Sequence, residues 1–299
     1  MTLSWWRLEL ALLPELEESL TWKLQALGIP RMAVRYRPEA PEQRQLLAWL
    51  PASDWPAEQR SELERALAPL GEPFGLCLPA FHWQQQDDED WSLSWKQHWQ
   101  PDPVGERLLI LPAWLERPEE YADRLLIRID PGSAFGTGSH PTTRLCLEAL
   151  EAEPPLGLRV ADLGCGSGIL GLGALRLGAA SVAAVDTDSL AVRATAANAL
   201  LNGLSVLAGH GSVERLVELQ AGQRADLLLC NILAPVIEAL APSFASVLTP
   251  GGTGLLSGLL VEQASKLQRA LAAAGWRAEL VAEQSRWGLM RLRRRSDVA

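Results

Sequence analysis

The chain has 299 residues, long enough for two domains, and hydrophobic residues make up 48% of it, which supports full packed cores. A formal charge of −9 at pH 7 argues against a non-specific nucleic-acid binder, which would normally be basic. The four cysteines (Cys77, Cys146, Cys165 and Cys230) form no C-x-x-C pair and have no histidine at metal spacing, so reduced thiols, a cytoplasmic location and no metal are expected. Glu9, Glu15, Glu17 and Glu18 break any apolar secretory core in residues 1–20. Residues 239–261 carry no charge, but Pro242, Pro250 and the Gly251-Gly252 pair divide them into helix, turn and strand, so no membrane span is expected.

Along the chain, residues 5–10 and 31–37 read as strands, and 15–27 and 58–70 as helices stopped by Gly28 and Gly71. Runs at 45–50 and 76–84 complete a small α+β sheet of split βαβ, ferredoxin-like order. Arg31, Arg35 and Arg37 are expected on one strand face, as a solvated surface or a partner contact. The acidic stretch Asp87-Asp88-Glu89-Asp90 marks a boundary, and Trp91, Trp95 and Trp99 then recur at helical spacing. Ten of the 12 tryptophans precede residue 115, whereas small residues dominate after 130. The expected division is a small α+β recognition domain over 1–86, a linker with a connecting helix over 87–124, and a larger domain over 125–299.

From 125 onward strands and helices alternate, as in a parallel sheet covered on both faces. Strands are expected at 159–164, 181–186, 205–208, 225–231 and 253–257, with helices at 169–178, 189–203, 235–248 and 261–274. Residues 276–282 and 287–293 would close the sheet as an antiparallel edge hairpin. The expected fold is therefore α/β: a seven-stranded, doubly wound, Rossmann-like domain behind a small ferredoxin-like one.

Three segments carry chemistry. In Val160-Ala-Asp-Leu-Gly-Cys-Gly-Ser-Gly168, a buried strand runs into glycines and then a helix. Gly164, Gly166 and Gly168 permit a sharp turn and close approach to a ligand. Asp186 ends the next strand, where an acidic residue grips ribose hydroxyls; Asp188 is the better helix cap. Because Gly166-x-Gly168-x-x-Gly171 also fits the dinucleotide pattern, a nicotinamide-dependent oxidoreductase remains an alternative. Asn231 ends an apolar strand at the rim where an amide can orient an incoming amine. The loop from Asp130 to Thr143, rich in glycine, suits a lid: Phe135, Gly136 and Thr137 belong to it, and His140 reads as structural rather than as a base. Cys165 reads as a spacer between glycines.

These segments closely resemble the ribosomal protein L11 methyltransferase family, through DPGSAFGTGSHPTT at 130–143, DLGCGSG at 162–168, NILA at 231–234 and LSG at 256–258. The resemblance covers roughly residues 90–293, with Ser139 where the family often has threonine, and residues 1–85 match in layout. It implies methyl transfer from S-adenosyl-L-methionine to lysine ε-amines and an N-terminal α-amine of a basic large-subunit ribosomal protein, with nucleic acid met only through the ribosome. The family's methyl-donor contacts then fall on Thr143, Gly164, Asp186 and Asn231; Gly166 of the glycine turn is expected to bind the cofactor as well, and Asn231 is also the expected catalytic residue. The alternative within this class is the same fold acting on another protein or amine.

Overall fold

The computed structural model describes residues 4–29, 31–37, 40–87, 99–130, 138 and 140–295. The chain divides into two compact units, Met1–Gln100 and Pro101–Ala299.

The first unit runs β1 (Ser4–Leu12), α1 (Glu17–Ala26), β2 (Met32–Arg37), β3 (Ala40–Pro51), α2 (Ala57–Leu67) and β4 (His82–Asp87). Its sheet order is β2-β3-β1-β4 with antiparallel neighbours, the split βαβ arrangement. Alternation along the strands sends Leu8, Leu10 and Leu12 of β1, and Leu46, Ala48 and Leu50 of β3, into one core with Leu20 and Leu24 of α1. Gly28 ends α1 in the left-handed region at φ +79°. Gly71 does not cap α2. It is buried inside a 3-10 turn over Ala68–Phe74, so the fourth strand begins at His82 rather than at 76. Arg31 lies over the Trp5 ring, 4.4 Å from its centroid, and Arg35 donates to Gln45. The expected tryptophan stripe falls mostly at 88–98, outside the described residues, as do Phe135, Gly136 and Thr137 of the expected lid.

The second unit opens with β5 (Asp102–Val104), β6 (Leu108–Pro112) and β7 (Leu125–Ile129), which form their own three-stranded sheet. Residues 101–124, expected to be linker, thus belong to the second unit. Their five-residue strand Leu108–Pro112 is buried throughout, and a strand without polar alternation gives little periodic signal. After α3 (Pro141–Ala152) come β8 (Arg159–Leu163), α4 (Ile169–Arg176), β9 (Ser181–Asp186), α5 (Ser189–Leu201), β10 (Leu207–His210), α6 (Val213–Gln220) and β11 (Ala225–Asn231). The remainder is α7 (Ala234–Leu240), α8 (Phe244–Val247), β12 (Leu248–Leu260), α9 (Ala264–Ala273), β13 (Trp276–Gln284) and β14 (Trp287–Arg294).

The large sheet has the order β10-β9-β8-β11-β12-β14-β13. Its strands pair in parallel except β14, which runs antiparallel to both neighbours. The chain winds outward from β8 through β9 to β10 and then returns to the other side of β8 as β11. Between β8 and β11 lies the point where a doubly wound sheet opens a crevice at its carboxyl ends. At the opposite end of these two strands, Asp226 accepts from the Arg159 backbone N–H and from its guanidinium at 3.0–3.1 Å, which locks their register.

Candidate active site

The crevice is built by three strand ends. Leu163 pairs with Val185 and Asp162 with Leu229, so Gly164, Asp186 and Asn231 follow at about the same height on β8, β9 and β11. Gly164 takes φ +79°, and a Cβ there would stand 2.3 Å from Cγ2 of Ile232. Gly258, in the LSG segment of β12, has φ +81°, and its Cβ would meet the Ile232 carbonyl oxygen at 2.3 Å. The residue after Asn231 is thus clasped between two backbones that only glycine lets this close.

Asp186 is held by backbone donors. Its Oδ2 accepts from Gly166 N–H at 3.0 Å and its Oδ1 from Asp188 N–H at 2.9 Å. Asp188 caps α5 by accepting from Leu190 N–H at 2.7 Å, which leaves Asp186 at the rim. Below it, Asp162 is fully buried; Oδ2 accepts from Gly171 N–H at 3.0 Å, while Oδ1 has no hydrogen-bond partner among the described residues. Burial pushes its carboxyl up to about 7, and the neighbouring Asp186 charge adds to the effect. Asp186 is therefore the carboxylate that the rim presents, with Asp162 buried beneath it.

The loop between β7 and α3 is fastened at both ends. Buried Asn198 of α5 accepts from Asp130 N–H at 2.9 Å and donates to the Ser167 carbonyl at 2.9 Å, joining the loop's start to the glycine turn. At the other end Gly138 packs where a Cβ would strike Ile110 and Ile169. His140, in the loop expected to form a lid, is buried, only 2% exposed. It is the N-cap of α3, with Nδ1 3.3 Å from Thr142 N–H and 2.8 Å from Thr142 Oγ1, and its ring stands edge-on to Trp287 at 4.9 Å. Thr142 and Thr143 are both buried in the first turn of α3. Asn231 Nδ2 donates to Thr142 Oγ1 at 3.1 Å, whereas Asn231 Oδ1 is buried without a partner among the described residues.

Cys165 is no nucleophile here: burial drives its thiol far above the usual range, and Thr195 donates to its Sγ at 3.2 Å. Among the described residues no group of His, Cys, Asp or Glu is arranged to hold a metal, and no helix is long and apolar enough to cross a membrane. Thr142, Asp162 and Trp287 were not singled out from sequence. Asp162 lay in the quoted motif and Thr142 beside Thr143; Trp287 had no local signal, because only the sheet brings β14 to α3.

The strand order and the glycine turn, with a rim Asp and a rim Asn beside it, define a doubly wound methyltransferase of the seven-stranded class. A profile of the ribosomal protein L11 methyltransferase family matches residues 4–295. The ribosomal protein L11 methyltransferase of Synechococcus sp. (strain RCC307) is 64% identical over 293 residues, covering 97% of both chains. That of Prochlorococcus marinus (strain MIT 9313) is 62% identical over 296 residues, covering 98% of both. The crystal structure of a ribosomal protein L11 methylase from Lactobacillus delbrueckii subsp. bulgaricus superimposes with a TM-score of 0.60 at 33% identity, covering 66% of this chain and 100% of that one. The chain belongs to the ribosomal protein L11 methyltransferase family.

Proposed function

We propose that this chain transfers methyl groups from S-adenosyl-L-methionine to amino groups of ribosomal protein L11, both lysine ε-amines and the N-terminal α-amine. The observation that carries the reading is the unpartnered Oδ1 of Asn231, an acceptor for an amine N–H at the strand-end rim that also holds Asp186. The full-length relatives named for L11 methylation support the acceptor.

When bound, S-adenosyl-L-methionine supplies a methyl group made electrophilic by its sulfonium. In this reading Asp186 receives the ribose hydroxyls, Gly164 and Gly166 allow the nucleoside to lie against the backbone, and Thr143 closes the pocket from α3. The acceptor must be a neutral amine. A lysine of ordinary pKa near 10.4 is mostly protonated at pH 7, which costs roughly 4–5 kcal/mol, and a dry pocket next to a sulfonium opposes the ammonium form. The amine sheds its proton to water on entry, and Asn231 then aligns its lone pair for in-line displacement. The first unit recognises the substrate, and the enzyme works in the cytoplasm, where an acidic protein of net charge −9 is suited to a basic partner.

Incubation with labelled S-adenosyl-L-methionine and purified large-subunit proteins, read by intact mass, tests this. Label on L11 is the expected result; label on another protein or on none overturns it. Asn231→Ala is expected to lower kcat by about 10²–10³-fold, the scale for losing one well-placed polar group. If Asn231→Ala is harmless while Thr143→Ala abolishes transfer, the assigned roles are wrong.

A further inference from the structure

The hydrogen bonds behind Asn231 determine which end of its amide faces the crevice. Thr142 N–H points at His140 Nδ1, 3.3 Å away, so that nitrogen is an acceptor and carries no proton. Thr142 Oγ1 lies 2.8 Å from the same nitrogen, so the hydroxyl spends its one proton on it. Toward Asn231, at 3.1 Å, Oγ1 can then only accept. The amide must therefore offer Nδ2 to Thr142 and turn Oδ1 the other way. His140 is fixed in turn by Trp287 and by the first turn of α3. Reversing the amide would set two acceptors, Oδ1 and Oγ1, against each other in a buried place.

We infer that Thr142 and His140 are positioning residues, which lock the carbonyl oxygen of Asn231 toward the acceptor nitrogen, so that the lock assists only nitrogens bearing an N–H. The inference rests on the methyl-transfer reading and deepens it. A neutral primary or monomethylated amine donates one N–H to Oδ1 and directs its lone pair at the methyl carbon. As the N–C bond forms, the C–S bond breaks, its electron pair stays on sulfur, and the product ammonium releases a proton to water. A dimethylated amine has no N–H to give, so for it the lock contributes nothing.

The test compares wild type, Thr142→Val and Thr142→Ser under single turnover. One substrate is unmodified L11; the other is L11 whose amines have been reductively dimethylated. Loss of one oriented hydrogen bond predicts that Thr142→Val slows transfer to unmodified L11 about tenfold, with KM and donor affinity within about twofold. Thr142→Ser, which keeps the hydroxyl, is expected to restore the wild-type rate. On dimethylated L11, Thr142→Val should match wild type within about twofold. If Thr142→Val does not fold, Thr142→Ala carries the same expectations in a less crowded site. Equal rates for wild type and Thr142→Val on unmodified L11, or an equal loss on both substrates, overturn the inference alone. A wild-type protein that methylates neither substrate overturns it together with the proposed function.

Discussion

The two units reach stability by different routes. Residues 1–100 hold only three of the chain's 24 glycines, and their core interlocks large side chains such as Leu8, Leu20, Leu46 and Trp49. Aromatic rings serve the surface there as well: the Arg60 guanidinium stacks 3.6 Å above Trp6 and reaches Trp83, whose indole donates to Glu64 at 2.7 Å. Residues 101–299 also have an aliphatic core, but their distinctive contacts are between backbones, with Ile232 clasped between Gly164 and Gly258. A unit packed by side-chain volume buries its strands. A unit whose strand ends are glycine lets backbones meet closely at one rim, where a doubly wound sheet takes its ligand.

The sharpest way to break this contrast is Gly258→Ala. Its new Cβ would collide with backbone, not with a flexible side chain, so a loss of more than about 4 kcal/mol is expected in denaturant unfolding. A stable, active Gly258→Ala protein would show that close approach does not govern the second unit. Next is Leu20→Ala, which opens a cavity in the fully buried core of the first unit and should cost about 3 kcal/mol there. Donor affinity, measured by calorimetry, should stay at the wild-type value, since Gly164, Asp186 and Asn231 all stand in the second unit.

A third effect, which depends on pH, comes from Asp162. Burial holds its carboxyl near 7 in the folded protein, well above the ordinary carboxylate range, so the folded state holds a proton that the unfolded chain releases. The stability this gives the ligand-free protein is complete below about pH 4 and is lost as pH rises through 7. Asp162→Asn keeps an acceptor for Gly171 N–H but cannot ionise, so unfolding at pH 8 should favour the variant by on the order of 4 kcal/mol, and at pH 4 the advantage should vanish. The smallest effect expected is that of Arg60→Ala, about 1 kcal/mol for a half-buried guanidinium over the Trp6 and Trp83 rings, read as a slight drop in the first unit's midpoint.

Much of the layout was legible in advance wherever a local pattern had one physical meaning. The leucine alternation of β1 and the closing hairpin at Trp276–Gln284 and Trp287–Arg294 fell within a few residues of expectation. Pattern failed where local cues conflicted with packing. Gly71 looked like a stop, yet it is buried because a Cβ there would lie 2.1 Å from the Leu76 carbonyl oxygen, so the chain folds back over it. Residues 108–112 were absorbed into a linker for want of alternation, and α6, whose buried residues are Val213 and Leu216, was passed over.

By itself the sequence determined the order of strands and helices and the glycine turn, and it put Asp186 and Asn231 at strand ends, because each depends on residues adjacent in the chain. Tertiary structure alone decided which distant groups meet. His140, Thr142, Asn231 and Trp287 come together because a parallel sheet gathers the carboxyl ends of strands that are remote in sequence, and α3 crosses beside them. The direction of each hydrogen bond in that cluster follows from how many protons the partners share, a quantity that exists only once they are in contact.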